Sequence, residues 1–425
     1  GFCNIDDRGL EGLELMYDSL LYGLEGKREF ERDALGKRIN KPGMLDIPAQ
    51  DGLDVYLTID SIIQHIVETE LDNLYKEHKP LSASVVVMNP QNGEILAFVI
   101  CPAFDPNSAA LYSPEVRRNK VITDMYEPGS TFKTFTFTAL FDENLVSTNE
   151  IVFCENGLGK FGRRTLRDHT PHADISVIDV IALSSNIGTA KCAQRLSEEQ
   201  FYSHVKNFGF SLPTGIDLPG EADGFLAPVN KWSKYTHVSL SIGQEINVTP
   251  IQMITAFSAV ANGGTLYKPA LLKYISNRDG TIVRESNPVV IKKVCLPETT
   301  AILKQALFKV VEEGTGKRAK SKLYTIAGKT GTAQKSLPGE RGYSNKYVAS
   351  FVAFAPVDSP RIAVIVVADQ PSGKTYFGGS VAAPTAGVII EKILTYLKVQ
   401  PDKETKDDNT KCAEEHNKPQ SNRGM

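Results

Sequence analysis

The sequence predicts an α+β fold: one antiparallel sheet assembled from two distant stretches, with a helical lobe inserted between them. Three observations carry this. Residues 84–88 and 94–100 are apolar, strand-like runs separated by a turn ending in Asn92-Gly93, a dipeptide that favours a hairpin. Residues 324–334, 347–355 and 361–368 form a second strand group far downstream, the last two joined by a turn with Pro356 and Pro360. Between the groups lie helical patterns at 132–141, 177–196 and 250–262. Two strands, a helical insertion, three strands and a closing helix give a five-stranded antiparallel sheet flanked by helices, with a cleft between sheet and lobe.

Taken in order, residues 1–50 read as the end of a preceding module. A short amphipathic helix there places Leu13, Tyr17, Leu20 and Leu21 on one face. Gly23, Gly26 and Gly36 then break the pattern, and Lys41-Pro42-Gly43 reads as a linker. Residues 51–400 form the main domain. It opens with a strand at 55–59 and a helix capped by Asp60 or Ser61, which carries Ile62, Ile66, Leu71, Leu74 and Tyr75. The closing helix, 380–397, has Val388, Ile389, Ile393, Leu394 and Leu397 as its apolar stripe. Residues 401–425 are charged and nearly free of apolar side chains, which predicts disorder.

The totals exclude several classes. With 425 residues, 41% hydrophobic and 23% charged, the chain is ordinary for a globular protein, and a net charge of −3 gives no reason to expect a nucleic-acid partner. No apolar run approaches the ~18–20 residues of a membrane helix. Because the chain begins at Gly1 rather than Met, an N-terminal part that held any anchor or export signal is expected to be missing. Cys3, Cys101, Cys154, Cys192, Cys295 and Cys412 show no Cys-x-x-Cys spacing, which argues against a zinc site and a dense disulfide framework. His169 and His172 lack a third ligand, so no metal is expected there. The basic run Lys317, Arg318, Lys320 and Lys322 reads as a solvated loop.

Three short motifs carry chemistry. Glu127-Pro128-Gly129 sets a turn before a helix, so Ser130 falls at a helix N-terminus, where free amides favour developing negative charge. Lys133 follows one turn later on the same face, and a lysine whose pKa is lowered by burial and by a second cation can activate a serine. Ser184, Ser185 and Asn186 interrupt an apolar helical pattern, which exposes Ser184 for proton relay and Asn186 for hydrogen bonding to a substrate amide. Lys329, Thr330, Gly331 and Thr332 lie on a glycine-punctuated strand, suited to pairing with an extended peptide and binding a carboxylate. None is rare alone: Ser203/Lys206 and Ser147/Asn149 repeat the first two spacings, so order and surroundings carry the signal. Gly328-Lys329-Thr330 and Gly373-Lys374-Thr375 imitate the end of a P-loop, but Leu323 and Ala368 stand where its first glycine is required.

In this order the motifs resemble the signature of penicillin-binding proteins and serine β-lactamases. The stretches around Glu127–Lys133, Val248–Gln252, Ala261–Gly264, Lys329–Gln334 and Tyr376–Pro384 are similar to class B penicillin-binding proteins, and the Tyr347–Ala355 and Tyr376–Pro384 stretches resemble the division or sporulation type more than the elongation type. The resemblance implies a peptidoglycan DD-transpeptidase that needs no cofactor, held on the outer side of the cytoplasmic membrane by an N-terminal anchor. Ser130 would attack the penultimate D-Ala carbonyl of a stem peptide, with Lys133 as base and Ser184 as proton relay. Asn186 would orient the peptide, Lys329, Thr330 and Thr332 would hold its carboxylate, and the amides of Ser130 and Thr332 would form the oxyanion hole. The expected partners are stem peptides ending in D-Ala-D-Ala, β-lactam antibiotics, a separate glycosyltransferase and division proteins. The alternatives are a DD-carboxypeptidase, a β-lactam-binding scaffold or sensor, and a β-lactamase, which lacks support around Glu221.

Overall fold

Strands buried on both faces read as continuous apolar runs rather than alternating ones, and two segments of this chain do so. In the computed structural model, which describes residues 1–39, 44–336 and 342–403, these segments lie at the centre of the principal sheet. The framework runs β1 (Asp54–Leu57), α1 (Ser61–His78), β2 (Ser82–Met88), β3 (Ile95–Cys101), α2 (Lys133–Asp142), β4 (Leu158–Phe161), β5 (Arg164–Arg167), α3 (Val177–Ala182), α4 (Asn186–Ala193), α5 (Pro250–Ala261), β6 (Leu272–Ser276), α6 (Pro297–Glu312), β7 (Ala327–Gln334), β8 (Tyr347–Ala355), β9 (Ile362–Asp369) and α7 (Ala383–Tyr396). The principal sheet has the order β7-β8-β9-β2-β3, antiparallel throughout. Its two halves, far apart in sequence, join where β9 pairs with β2.

Alternate residues of β8 enter opposite cores. Val348, Val352 and Phe354 join a cluster shared with α2, α5 and α6 on the lobe side. Ala349, Phe351 and Ala353 join one shared with α1 and α7 on the other side. The molecule is therefore three layers deep around the sheet, and β7 forms one sheet edge, beside the lobe.

The expected elements hold with local shifts. Asp60 caps α1 by accepting from the amides of Ile62 and Ile63. The buried face of α1 is Ile63, Val67, Leu71 and Leu74; Ile62 points outward, one position from the expected stripe. In α7 the inward set is Ala386, Ile389, Ile390, Ile393 and Leu394, while Val388 is exposed. The final helix is also divided: a short turn, Gly378–Val381, precedes α7. Gly93 has φ +82°, the left-handed geometry that the β2–β3 turn requires.

Tyr17, Leu13, Leu20 and Leu21 pack on Leu272 and Ile275, so the N-terminal segment is seated on a second, smaller sheet containing β1 and β6. The 41–43 linker lies outside the described residues, as do 404–425 of the expected disordered tail. Asp402 and Lys403, at its start, are tied to Leu323 by their amides.

Candidate active site

The site is built where three segments of the lobe meet the edge strand β7. Ser130 lies in the single 3₁₀ turn Gly129–Phe132, and Lys133 opens α2. Phe132, which ends the turn, and Phe135 and Phe137 on α2 are fully buried, the first two packed against Phe210. This aromatic packing explains why the Lys133 side chain has no solvent contact. Ser130 itself is half-buried.

The turn between α3 and α4 supplies Ser184, Ser185 and Asn186. Val180 and Ile181 fix the end of α3 and Ile187 the start of α4, so the polar interruption expected from sequence is a genuine break between two helices. Ser184 has φ +60°, a strained conformation for a residue with a side chain. Ser185 caps α4 by accepting from Gly188 N.

Two buried lysines converge on this turn. Lys133 Nζ donates to Ser184 O at 2.6 Å, Asn186 Oδ1 at 2.7 Å and Ser184 Oγ at 3.3 Å. Lys329 Nζ, from β7, donates to the same Ser184 Oγ at 2.8 Å and to Thr330 O at 3.3 Å. Burial pushes the Lys133 ammonium down to about 7, with Asp168 and Cys154 pulling the other way. Lys329 is held well below its ordinary value, first by burial and then by Lys133. Two ammonium groups without water around one hydroxyl repel each other, so the arrangement favours a neutral amine beside Ser184.

The structure thus brings Lys133, Ser184, Asn186 and Lys329 into one hydrogen-bonded group. The hydrogen bonds of Lys133 Nζ run to Ser184 and Asn186 rather than to Ser130 Oγ. The residues of the Lys329–Thr332 segment are divided between the two faces of β7. Lys329 faces the lobe and is fully buried, Thr330 Oγ1 pairs with Thr315 Oγ1 at 2.7 Å, and Thr332 Oγ1 accepts from Gly378 N at 3.0 Å. Gly331 is needed for close approach within the protein: a Cβ there would lie 2.3 Å from Ser350 Oγ and 2.9 Å from Pro128 O. The turn carrying Ser130 therefore rests directly on β7.

The other singled-out residues have local roles. Lys206 bonds Ser211 within its own neighbourhood, so Ser203/Lys206 is a coincidental match. Gly328-Lys329-Thr330 lies in a strand, with no helix N-terminus to cradle a phosphate. His169 packs on the Phe377 ring, with centroids 4.7 Å apart. Glu221 is held by the amides of Thr214 and Gly215. Sequence reasoning missed Asp168, which accepts from Asn186 N at 2.6 Å, Ile187 N at 3.1 Å and Ser185 Oγ at 2.5 Å. No local pattern marks it, because the contact is made only when the β4–β5 hairpin folds against α4.

Residues 83–391 match the penicillin binding protein transpeptidase domain. The chain is 40% identical over 407 residues to stage V sporulation protein D of Bacillus subtilis, covering 95% of this chain and 63% of that protein. It is 31% identical over 405 residues to the peptidoglycan D,D-transpeptidase FtsI of Escherichia coli, covering 95% of this chain and 66% of the relative. Among solved structures, it superposes on penicillin binding protein 3 of Mycobacterium tuberculosis in complex with ampicillin, with a TM-score of 0.85 and 29% identity, over 96% of this chain and 88% of that one. The apo transpeptidase domain of Burkholderia pseudomallei penicillin-binding protein 3 gives a TM-score of 0.72 at 31% identity, over 82% of this chain and 98% of that one.

Proposed function

The chain belongs to the penicillin-binding protein transpeptidase family, and from that premise we propose that it is a peptidoglycan DD-transpeptidase acting through a Ser130 acyl-enzyme. The observation that carries the reading is the pair of buried lysines meeting on Ser184 Oγ, one of them with a pKa of about 7. A base of that strength is half neutral near physiological pH, which suits it to accept a proton and return it.

In the first half-reaction, Ser130 Oγ bonds to the carbonyl carbon of the penultimate D-Ala of a stem peptide, and its proton passes to neutral Lys133. Lys133 must release one of its present acceptors to do this. The proton moves through Ser184 Oγ to the departing nitrogen as the D-Ala–D-Ala peptide bond breaks, leaving an ester on Ser130. In the second half-reaction, the amine of a neighbouring stem attacks that ester, its proton returns by the same route, and Ser130 is regenerated with a new peptide cross-link. Asn186 orients the donor peptide, and the free edge of β7 pairs with it. Thr330 and Thr332 meet its carboxylate, while Lys329 acts through Ser184. The amides of Ser130 and Thr332 hold the oxyanion, a role worth ~3–4 kcal/mol per donor in comparable sites. A β-lactam follows the first half-reaction, its ring nitrogen taking the place of the leaving amine.

We assign the protein to the sporulation or division branch, a reading supported by its 40% identity to a sporulation protein. It works on the outer side of the cytoplasmic membrane beside a separate glycosyltransferase and division proteins. Among the described residues no helix is long and apolar enough to cross a membrane. Residues 1–50 are the end of the N-terminal pedestal module, and 51–400 are the catalytic domain.

Intact-protein mass spectrometry after benzylpenicillin, with peptide mapping and washout, tests the reading. A long-lived adduct on Ser130 is expected, together with cross-linked product from a D-Ala-D-Ala peptide and an amine acceptor. D-Ala release alone would identify a carboxypeptidase. An adduct with no product would identify a scaffold or sensor, and bulk hydrolysis of penicillin would identify a β-lactamase.

A further inference from the structure

Each residue of the Ser184–Asn186 turn is pinned from outside the turn, and Asp168 makes the larger share of the contacts to its second half. Ser184 is held by the two lysines. Asn186 receives Lys133 on its side-chain oxygen and donates Nδ2 to Arg167 O at 2.8 Å. The backbone of Asn186 and Ile187 and the Ser185 hydroxyl all converge on the Asp168 carboxylate. A carboxylate at the first amides of a helix is favoured by the helix dipole, and here it also closes the break after α3.

We propose that Asp168 is a positioning residue of this site, fixing the Ser184–Asn186 turn through its three hydrogen bonds and placing a negative charge toward the Lys133 amine. The proposal rests on the transpeptidase reading. The titratable groups that face Lys133 are Asp168, from the loop after β5, the Cys154 thiol, and Lys329 from β7. Lys191 on α4 is engaged elsewhere, with Glu155 Oε1 at 2.5 Å and Phe153 O at 2.7 Å. Asp168 therefore opposes both burial and the repulsion of Lys329, and it keeps the Lys133 amine in a range where it can hold and release a proton near neutrality.

The test is the rate of Ser130 acylation by a fluorescent penicillin as a function of pH, in wild type, Asp168→Asn and Asp168→Ala. Asparagine keeps an oxygen for the two amides but carries no charge. Its midpoint is expected to move to lower pH by at least about half a unit, because removing an anion lowers the proton affinity of a neighbouring amine. Alanine also loses the geometry, and its plateau rate is expected to fall at least about tenfold. Asn and Ala profiles that overlay the wild type, or an Asn midpoint that stays or rises, overturn the proposal while leaving the transpeptidase reading intact. Should Asp168→Ala fail to fold, Asp168→Asn decides alone. Wild-type protein that forms no Ser130 adduct at any pH defeats both.

Discussion

Lys133 stands in a run of nine buried residues, 133–141, so the oxygens and charges around its amine, not bulk water, set its proton affinity. Its value of about 7 has two consequences with opposite practical use. In the proposed mechanism the neutral form is the base, so acylation by benzylpenicillin should rise with pH through about 7 and level off above it. At pH 6 the rate should be about one-tenth of the plateau. For stability, the folded value lies below the unfolded value of 10.5, so the unfolded chain binds more protons between the two. This group therefore makes stability rise with pH across that window, and Lys329, lowered in the same direction, adds to the trend. Stopped-flow acylation across pH 5–9 checks the first consequence. A flat profile would remove Lys133 from the base role, as would a Lys133→Ala protein acylated within tenfold of wild type. The expected loss in that variant is ~10² to 10⁴-fold.

At the scale of elements, the junction that matters is the 3₁₀ turn of Ser130 pressed against β7 at Gly331. A methyl group at residue 331 has nowhere to go, because Pro128 O, Thr131 Cγ2 and Ser350 Oγ all lie within 3 Å of its position. Gly331→Ala should push the turn off the strand, slow acylation at least about tenfold, and cost about 1–3 kcal/mol in thermal unfolding. Unchanged acylation would mean that the turn tolerates displacement. The elements themselves were largely legible, since 347–355 was bounded correctly from a run that is apolar apart from Ser350. So was the break at Ser184, because three polar residues cannot continue an apolar helical face. What sequence could not give was rotation and contact. The α1 stripe holds at Leu71 and Leu74 but shifts at its N-terminal end, because Ile62 and Ile63 are equally apolar and only packing on the sheet decides between them. Strand β7 begins at Ala327 rather than Tyr324 because Tyr324 is drawn toward the C-terminal segment, its hydroxyl bonding Val399 O. Asp168 was invisible for the same reason: its partners are 17 to 19 residues away and meet it only in the folded lobe.

For the whole molecule, the open question is how far the catalytic unit depends on residues 1–50. Their anchoring is mainly apolar, with one ion pair: Tyr17 is buried against Leu272 and Ile275, which belong to the sheet that β1 also joins, and Glu11 meets Arg117 at 3.2 Å. That sheet is separate from the five strands carrying Lys329, and the hydrogen bonds that build the site run within the lobe and between the lobe and β7. Removing residues 1–50 should therefore expose Leu272 and Ile275 and destabilise the chain, since a fully buried aliphatic side chain is worth about 1.5–3 kcal/mol. The melting temperature should fall by several degrees or more, at about 2–4 °C per kcal/mol for a domain of this order of size. The acylation rate of the folded fraction at 25 °C should stay within about threefold of the parent, because no residue in contact with Ser184 is lost. Differential scanning calorimetry paired with acylation kinetics separates the two effects. A truncated protein that melts lower but acylates normally fits an N-terminal module that supports the domain without shaping its site. Loss of acylation in a protein that still melts cooperatively would show that the module acts on the lobe–sheet cleft itself, across the cavity of about 840 Å³ that lies between Gly12, Phe98 and Arg117.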